Sequence, residues 1–178
     1  MRRLLRRTLR RFRLSENGSA TVEFVLVFPA FIILFLSVFE SGLLMTRQVM
    51  LDRGTDMAVR RIRPETKTAF TPSQVKRMIC NAAGIIPNCV DNTKLEMRQV
   101  DPRSWTDVPT VADCVDVSDP YAPPRAFQSG APNQLMVIRA CSLFKPMFPG
   151  AGLGFQLPRS SGDFYALVST TAFAMEPI

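Results

Sequence analysis

Histidine is absent from the 178-residue chain. That absence removes the usual general base, the usual zinc ligand and the Ser-His and Cys-His pairs of nucleophilic catalysis. The four cysteines, Cys80, Cys89, Cys114 and Cys141, include no closely spaced pair of the kind a zinc site uses. No nucleophile motif fills the gap, and Asp113, Asp116 and Asp119 read as solvation of loops and strand edges. Gly150, Gly152 and Gly154 do not form a phosphate loop, because no Gly-Lys-Ser/Thr follows them. The sequence predicts no catalytic residue, metal, cofactor or small-molecule substrate, and hence no enzyme.

Acidic residues are scarce in one place only. Residues 1–18 hold seven Arg against a single acid, Glu16, whereas the other 160 residues carry 15 bases and 14 acids. The net charge of +7 therefore describes a tail and not a basic folded surface. A basic tail serves nucleic-acid binding or membrane orientation, and the apolar run that follows directly favours orientation. No nucleic-acid partner is expected.

That run extends from Val22 to Met45, VEFVLVFPAFIILFLSVFESGLLM. As a helix its 24 residues cover about 36 Å, enough for a hydrocarbon core of about 30 Å. It is too long for the core of an ordinary secretory signal, and its distal end lacks an A-x-A-like site, so retention as an anchor in membrane lipid is expected. Seven Arg before it outweigh Arg47, Arg53, Arg60, Arg61 and Arg63 after it. The positive-inside bias then places the N-terminus in the cytoplasm and the C-terminal part outside. Pro29 removes one helical hydrogen bond and is expected to soften the span near Val25.

Glu23 sits at the entrance of the span, and an acid there needs a reason. Cutting after Gly18 would make Ser19 the first residue and Glu23 the fifth. Glu23 would then lie near the positive end of the helix dipole. The freed α-amino group of Ser19, on the same or a neighbouring chain, would supply its counter-charge. Glu40, 17 residues further on, is expected near the outer interface as a solvated carboxylate.

A basic leader, a Gly, four residues, Glu-Phe and a long apolar helix together resemble the class III signal of type IV prepilins. The strings VEFVLVFP and FESGLL, and the ending STTAFAMEPI, are more narrowly similar to the TadE and TadF proteins of tight-adherence (Tad, or Flp) pilus systems. Ser41 departs from that family, which often has Phe after the second Glu. The resemblance implies a minor pilin, or pseudopilin, of a surface-adhesion pilus, matured by a prepilin peptidase. It makes Gly18 the last leader residue, Ser19 the first mature one, and Glu23 and Phe24 the recognition pair. It also implies the peptidase, other Tad pilus subunits and inner-membrane assembly proteins as partners, and a single-pass inner-membrane protein with a periplasmic domain. The alternative is an unprocessed, membrane-anchored periplasmic sensor or binding domain.

The remainder predicts an α+β organisation: a leader over 1–18, a transmembrane helix over 19–46, a helical extension over 47–63 and a periplasmic domain over 64–178. Val49, Met50, Met57 and Ile62 are apolar points in the extension, which Pro64 stops. Thr71, Pro72 and Gln74 announce a second helix by a capping box, with Val75, Met78, Ile79, Ala82 and Ala83 inward and Gly84 at its end. About four short antiparallel strands are expected, at 94–100, 111–117, 135–144 and 164–175. Ten of the 14 Pro follow residue 100, and most of them lie between these runs. An even number of Cys on one side of the span suits disulfides. Of three connectivities, the local pairs Cys80–Cys89 and Cys114–Cys141 are preferred. The apolar segment from Phe144 to Pro158 reads as a loop over the sheet, or as a contact surface for neighbouring subunits.

Overall fold

The computed structural model describes residues 19–65, 68–103, 108–116 and 126–177. The leader expected over 1–18, with Gly18, lies outside the described residues.

One helix, α1 (Ser19–Ile62), takes up 44 residues and continues unbroken across Pro29. At 1.5 Å per residue it is about 66 Å long. It ends two residues before Pro64, whose ring disfavours helical backbone at Arg63. The apolar residues of its distal half recur at helical spacing, so one stripe faces inward. Leu51, Thr55, Ala58, Val59 and Ile62 are all buried there, whereas Val49 and Met57 point outward. The Thr55 hydroxyl donates to the Leu51 carbonyl at 2.9 Å, which removes the cost of burying it.

The stripe packs on α2 (Pro72–Ala83) through Val75, Ile79 and Ala83. The predicted capping box is formed. The Gln74 amide donates to Thr71 Oγ1 at 3.3 Å, and the Thr71 amide donates to Gln74 Oε1 at 2.9 Å. Gly84 closes the helix with φ of 65°, a conformation that L side chains rarely adopt. Where α1 crosses α2, Gly54 permits close approach: a Cβ there would lie 2.6 Å from the Ile79 carbonyl oxygen.

A short helix, α3 (Cys89–Asn92), leads into β1 (Thr93–Gln99). β2 (Leu135–Phe144) and β3 (Tyr165–Ala174) complete an antiparallel sheet in the order β1-β2-β3. Glu96 lies opposite Arg139, and Ile138 opposite both Met97 and Thr171. Leu95, Met97, Met136, Ile138, Ala140 and Phe173 join the helices in one core.

Among the described residues the expected strand at 111–117 is not formed, and three strands stand where about four were expected. Among its described residues, 111–116, no ladder pairing exists. Two physical reasons account for this. The edge position beside β1 is taken at Met97 by another segment: the Met97 amide donates to Ala126, and the Gln128 amide donates to Met97. The 109–114 stretch is held by side chains instead. Lys94 Nζ is 3.2 Å from Asp113, Arg139 donates to the Pro109 carbonyl at 2.8 Å, and Cys114 bonds Cys141. Local composition alone could not reveal that anchoring.

Both preferred disulfides are present. Cys80–Cys89 ties the end of α2 to the start of α3, with Cα atoms 5.6 Å apart. Cys114–Cys141 ties the irregular segment to the central strand, with Cα atoms 5.1 Å apart.

Candidate functional site

From Ala20 to Phe31 every residue of α1 is exposed. The helix is long and apolar enough to cross a membrane, and none of its most apolar stretch is buried. Phe24 is 60 % exposed and stacks on Phe28 with ring centroids 4.8 Å apart. Glu23 is exposed beside them, in the second turn of the helix. Ser19 opens the helix. Ser19, Glu23 and Phe24 therefore share the bare end of α1, while Gly18 falls outside the described residues. The four cysteines lie in the distant domain.

A second arrangement occurs where the bare half meets the domain. Glu40, expected in solvent, is fully buried. Its carboxylate accepts from the Met147 amide, at 3.2 Å to Oε1 and 3.0 Å to Oε2, and from the Phe148 amide at 3.1 Å. Six residues beyond Met147 comes the next contact: the Leu153 amide donates to Ser37 Oγ at 3.2 Å, while the Ser37 hydroxyl donates to the Ile33 carbonyl at 2.8 Å. The 145–158 segment, which includes the short helix α4 (Gly152–Gln156), thus folds against α1 and not over the sheet as expected. Gly152 has φ of 57°, and a Cβ there would collide with Ser37 Oγ, so the segment approaches α1 more closely than a side chain would allow. Phe39 adds an edge contact to Phe148 at 6.3 Å.

Glu40 and Ser37 are thus two polar groups in an apolar helix that find their partners in one loop. A carboxylate accepting several backbone amides is satisfied without a cation. Burying it unpaired would cost several kcal/mol.

Just beyond, Arg47 is the first cation after the apolar run. Its guanidinium donates to the Tyr165 hydroxyl at 2.9 Å and lies 5.2 Å from the Phe144 ring centroid. Burial pushes the Tyr165 phenol above its ordinary pKa, and the nearby Arg47 only partly opposes that shift. Among the described residues there is no group of three or more His, Cys, Asp or Glu placed to hold a metal ion.

Residues 18–60 match the family model described as TadE-like protein. The long helix is a TadE-like segment. No curated protein and no solved structure matches the chain. The match starts at the residue expected to precede the scissile bond and ends two residues before the end of α1. It spans Glu23, Phe24, Ser37 and Glu40, so the α1 residues of both arrangements fall inside the matched segment, while the amide donors to Glu40 and Ser37 lie outside it.

The clasp was missed because its donors are backbone amides 107 and 108 residues away in sequence. A signal was nonetheless present. A second acid within an apolar run needs hydrogen-bond donors, and the uncharged 146–158 stretch is another anomaly that wants a partner.

Proposed function

We propose that the protein is a minor pilin, or pseudopilin, of a Tad (Flp) pilus, matured by a prepilin peptidase that cuts after Gly18. The TadE-like segment points to a Tad pilus-associated protein, and the finer role rests on the form of α1. The observation that carries it is the bare start of α1: an apolar stem with Glu23 near its beginning and a folded domain that packs only against its later turns. Such a stem suits two successive surroundings, a bilayer before assembly and the packed centre of a filament or assembly complex afterwards.

Glu23 has a specific part in that transfer. A carboxylate in apolar surroundings is costly unless paired, and a new α-amino group at Ser19 is a cation of matching position. Pairing across chains satisfies both groups only when a subunit is correctly seated. Phe24 beside it completes the pair that the peptidase recognises. The basic leader stays in the cytoplasm, the domain lies in the periplasm, and the role involves binding and assembly without catalysis. Its partners are the peptidase, other pilus subunits and inner-membrane assembly proteins.

The test is a pair of substitutions in a host bearing the pilus system. Gly18→Glu is expected to block processing and leave a full-length membrane protein. Glu23→Ala is expected to impair processing, assembly or both while insertion into the membrane persists. Normal piliation with Glu23→Ala would overturn the pairing mechanism.

A further inference from the structure

The segment from Pro146 to Pro158 has a chemistry that its place in a periplasmic domain does not explain. Its 13 residues, PMFPGAGLGFQLP, contain no charged side chain, and Gln156 is the single polar one. Met147 is 51 % exposed and Phe155 is 65 % exposed, so the segment directs large apolar groups outward. Lys145 and Arg159 flank it immediately, and both are exposed.

Part of its backbone is also satisfied by protein and not by water: eight of its 13 residues either lack an amide hydrogen or donate it to a named acceptor. Pro146, Pro149 and Pro158 have no amide hydrogen to satisfy. The amides of Met147, Phe148 and Leu153 donate to Glu40 and Ser37 of the helix. Those of Ala151 and Leu157 donate within the segment, to Phe148 and Leu153. In lipid an unsatisfied backbone group is expensive, and irregular chain is tolerated at membrane depth only where protein satisfies it.

Depth follows from the contacts with α1. Twenty residues of helix cross the hydrocarbon core, so a span that begins at Val22 ends near Ser41. Gly152 packs against Ser37 and the Ile33 carbonyl, four and eight residues short of that end. For a helix along the membrane normal, this places Gly152 about 6 to 12 Å below the outer boundary.

We propose that residues 146–158 are a second membrane-contacting element, dipping beside α1 into the outer leaflet of the bilayer. Phe155 and Met147 enter the acyl region. Lys145 and Arg159 remain at the headgroup level, where long cationic side chains favour anionic phosphate. Glu40 and Ser37 are the positioning residues that hold the element at this depth, which gives a second acid within the span a purpose. The domain is thereby fixed in height and rotation relative to the bilayer, and does not swing freely on a stalk. This inference rests on the reading of α1 as a membrane span.

Tryptophan depth measurement tests both and separates them. The full chain, with Trp105 replaced by Phe, receives one reporter at a time: Phe155→Trp, Phe31→Trp in the bare helix, or Met57→Trp in the distal half. Each is reconstituted into vesicles of phosphatidylethanolamine and phosphatidylglycerol that contain acyl-chain-brominated lipid. All three positions are exposed in the folded chain, so the substitutions leave the core untouched. The expected result is loss of emission for Phe155→Trp comparable with that for Phe31→Trp, and none for Met57→Trp. Quenching of Phe31→Trp alone overturns the proposal and leaves the span intact. A blue-shifted, unquenched Phe155→Trp signal that grows with protein concentration also overturns it, in favour of contact with a second copy. Absence of quenching at both Phe31 and Phe155 overturns the span and the proposal together.

Discussion

The two halves of α1 belong to one unbroken helix but use opposite rules. From Val22 to Phe31 large side chains face outward on every side, and Leu34 beyond them is still 67 % exposed. From Leu51 to Ile62 one stripe is buried while Asp52, Arg53, Asp56, Arg60 and Arg61 cover the rest. In the first half helical geometry chiefly satisfies the backbone, as an apolar surrounding would require. In the second half the 3.6-residue period sorts core from solvent. Glu40 marks the change, since it lies in the apolar composition of the first half yet is held by the fold of the second. The difference teaches that a continuous helix can be two structural units whose boundary is set by tertiary contacts and not by composition.

The contrast breaks most sharply on matched leucines. Leu51→Ala removes a fully buried side chain and is expected to cost about 2–5 kcal/mol of domain stability. Leu34→Ala is expected to leave domain stability unchanged, because nothing in the domain covers it. Denaturation of the full-length protein in detergent, followed by near-ultraviolet circular dichroism, measures both. An equal loss from the two would dissolve the distinction.

The disulfides sharpen the distal side. Chain-entropy reasoning gives about 4 kcal/mol for Cys114–Cys141, which closes a separation of 27, and about 3 kcal/mol for Cys80–Cys89, which closes 9. Paired Cys→Ala variants in the same denaturation experiment should rank in that order, and neither should alter membrane insertion.

The boundary itself gives a smaller and more local effect. Glu40→Ala leaves the Met147 and Phe148 amides without their acceptor, at an expected cost of about 1–3 kcal/mol. Hydrogen exchange should quicken at those two amides and at Leu153 while the sheet stays protected. Glu40→Gln keeps an acceptor oxygen and should restore much of the protection.

Most of the distal architecture was legible in the sequence because its signals are local. The capping box at Thr71 and Gln74, the stop at Pro64, the terminal Gly84 and the ends of β2 are each decided within a few residues. The TadE-like segment was legible for a similar reason: Gly18, Glu23, Phe24 and the apolar run form one contiguous pattern. What escaped depends on distant pieces of chain. The 111–116 stretch read as part of a strand, but the edge beside β1 was already occupied at Met97 by residues 126–128. Glu40 read as a solvated interfacial acid because backbone amides leave no trace in composition.

The central claim is that the bare half of α1 is a matured pilin stem. N-terminal sequencing of the natively produced protein, extracted from membranes of cells with an active prepilin peptidase, tests it most directly. The account predicts a chain that begins at Ser19, with Glu23 as its fifth residue. A chain that still begins at Met1 under those conditions would contradict it.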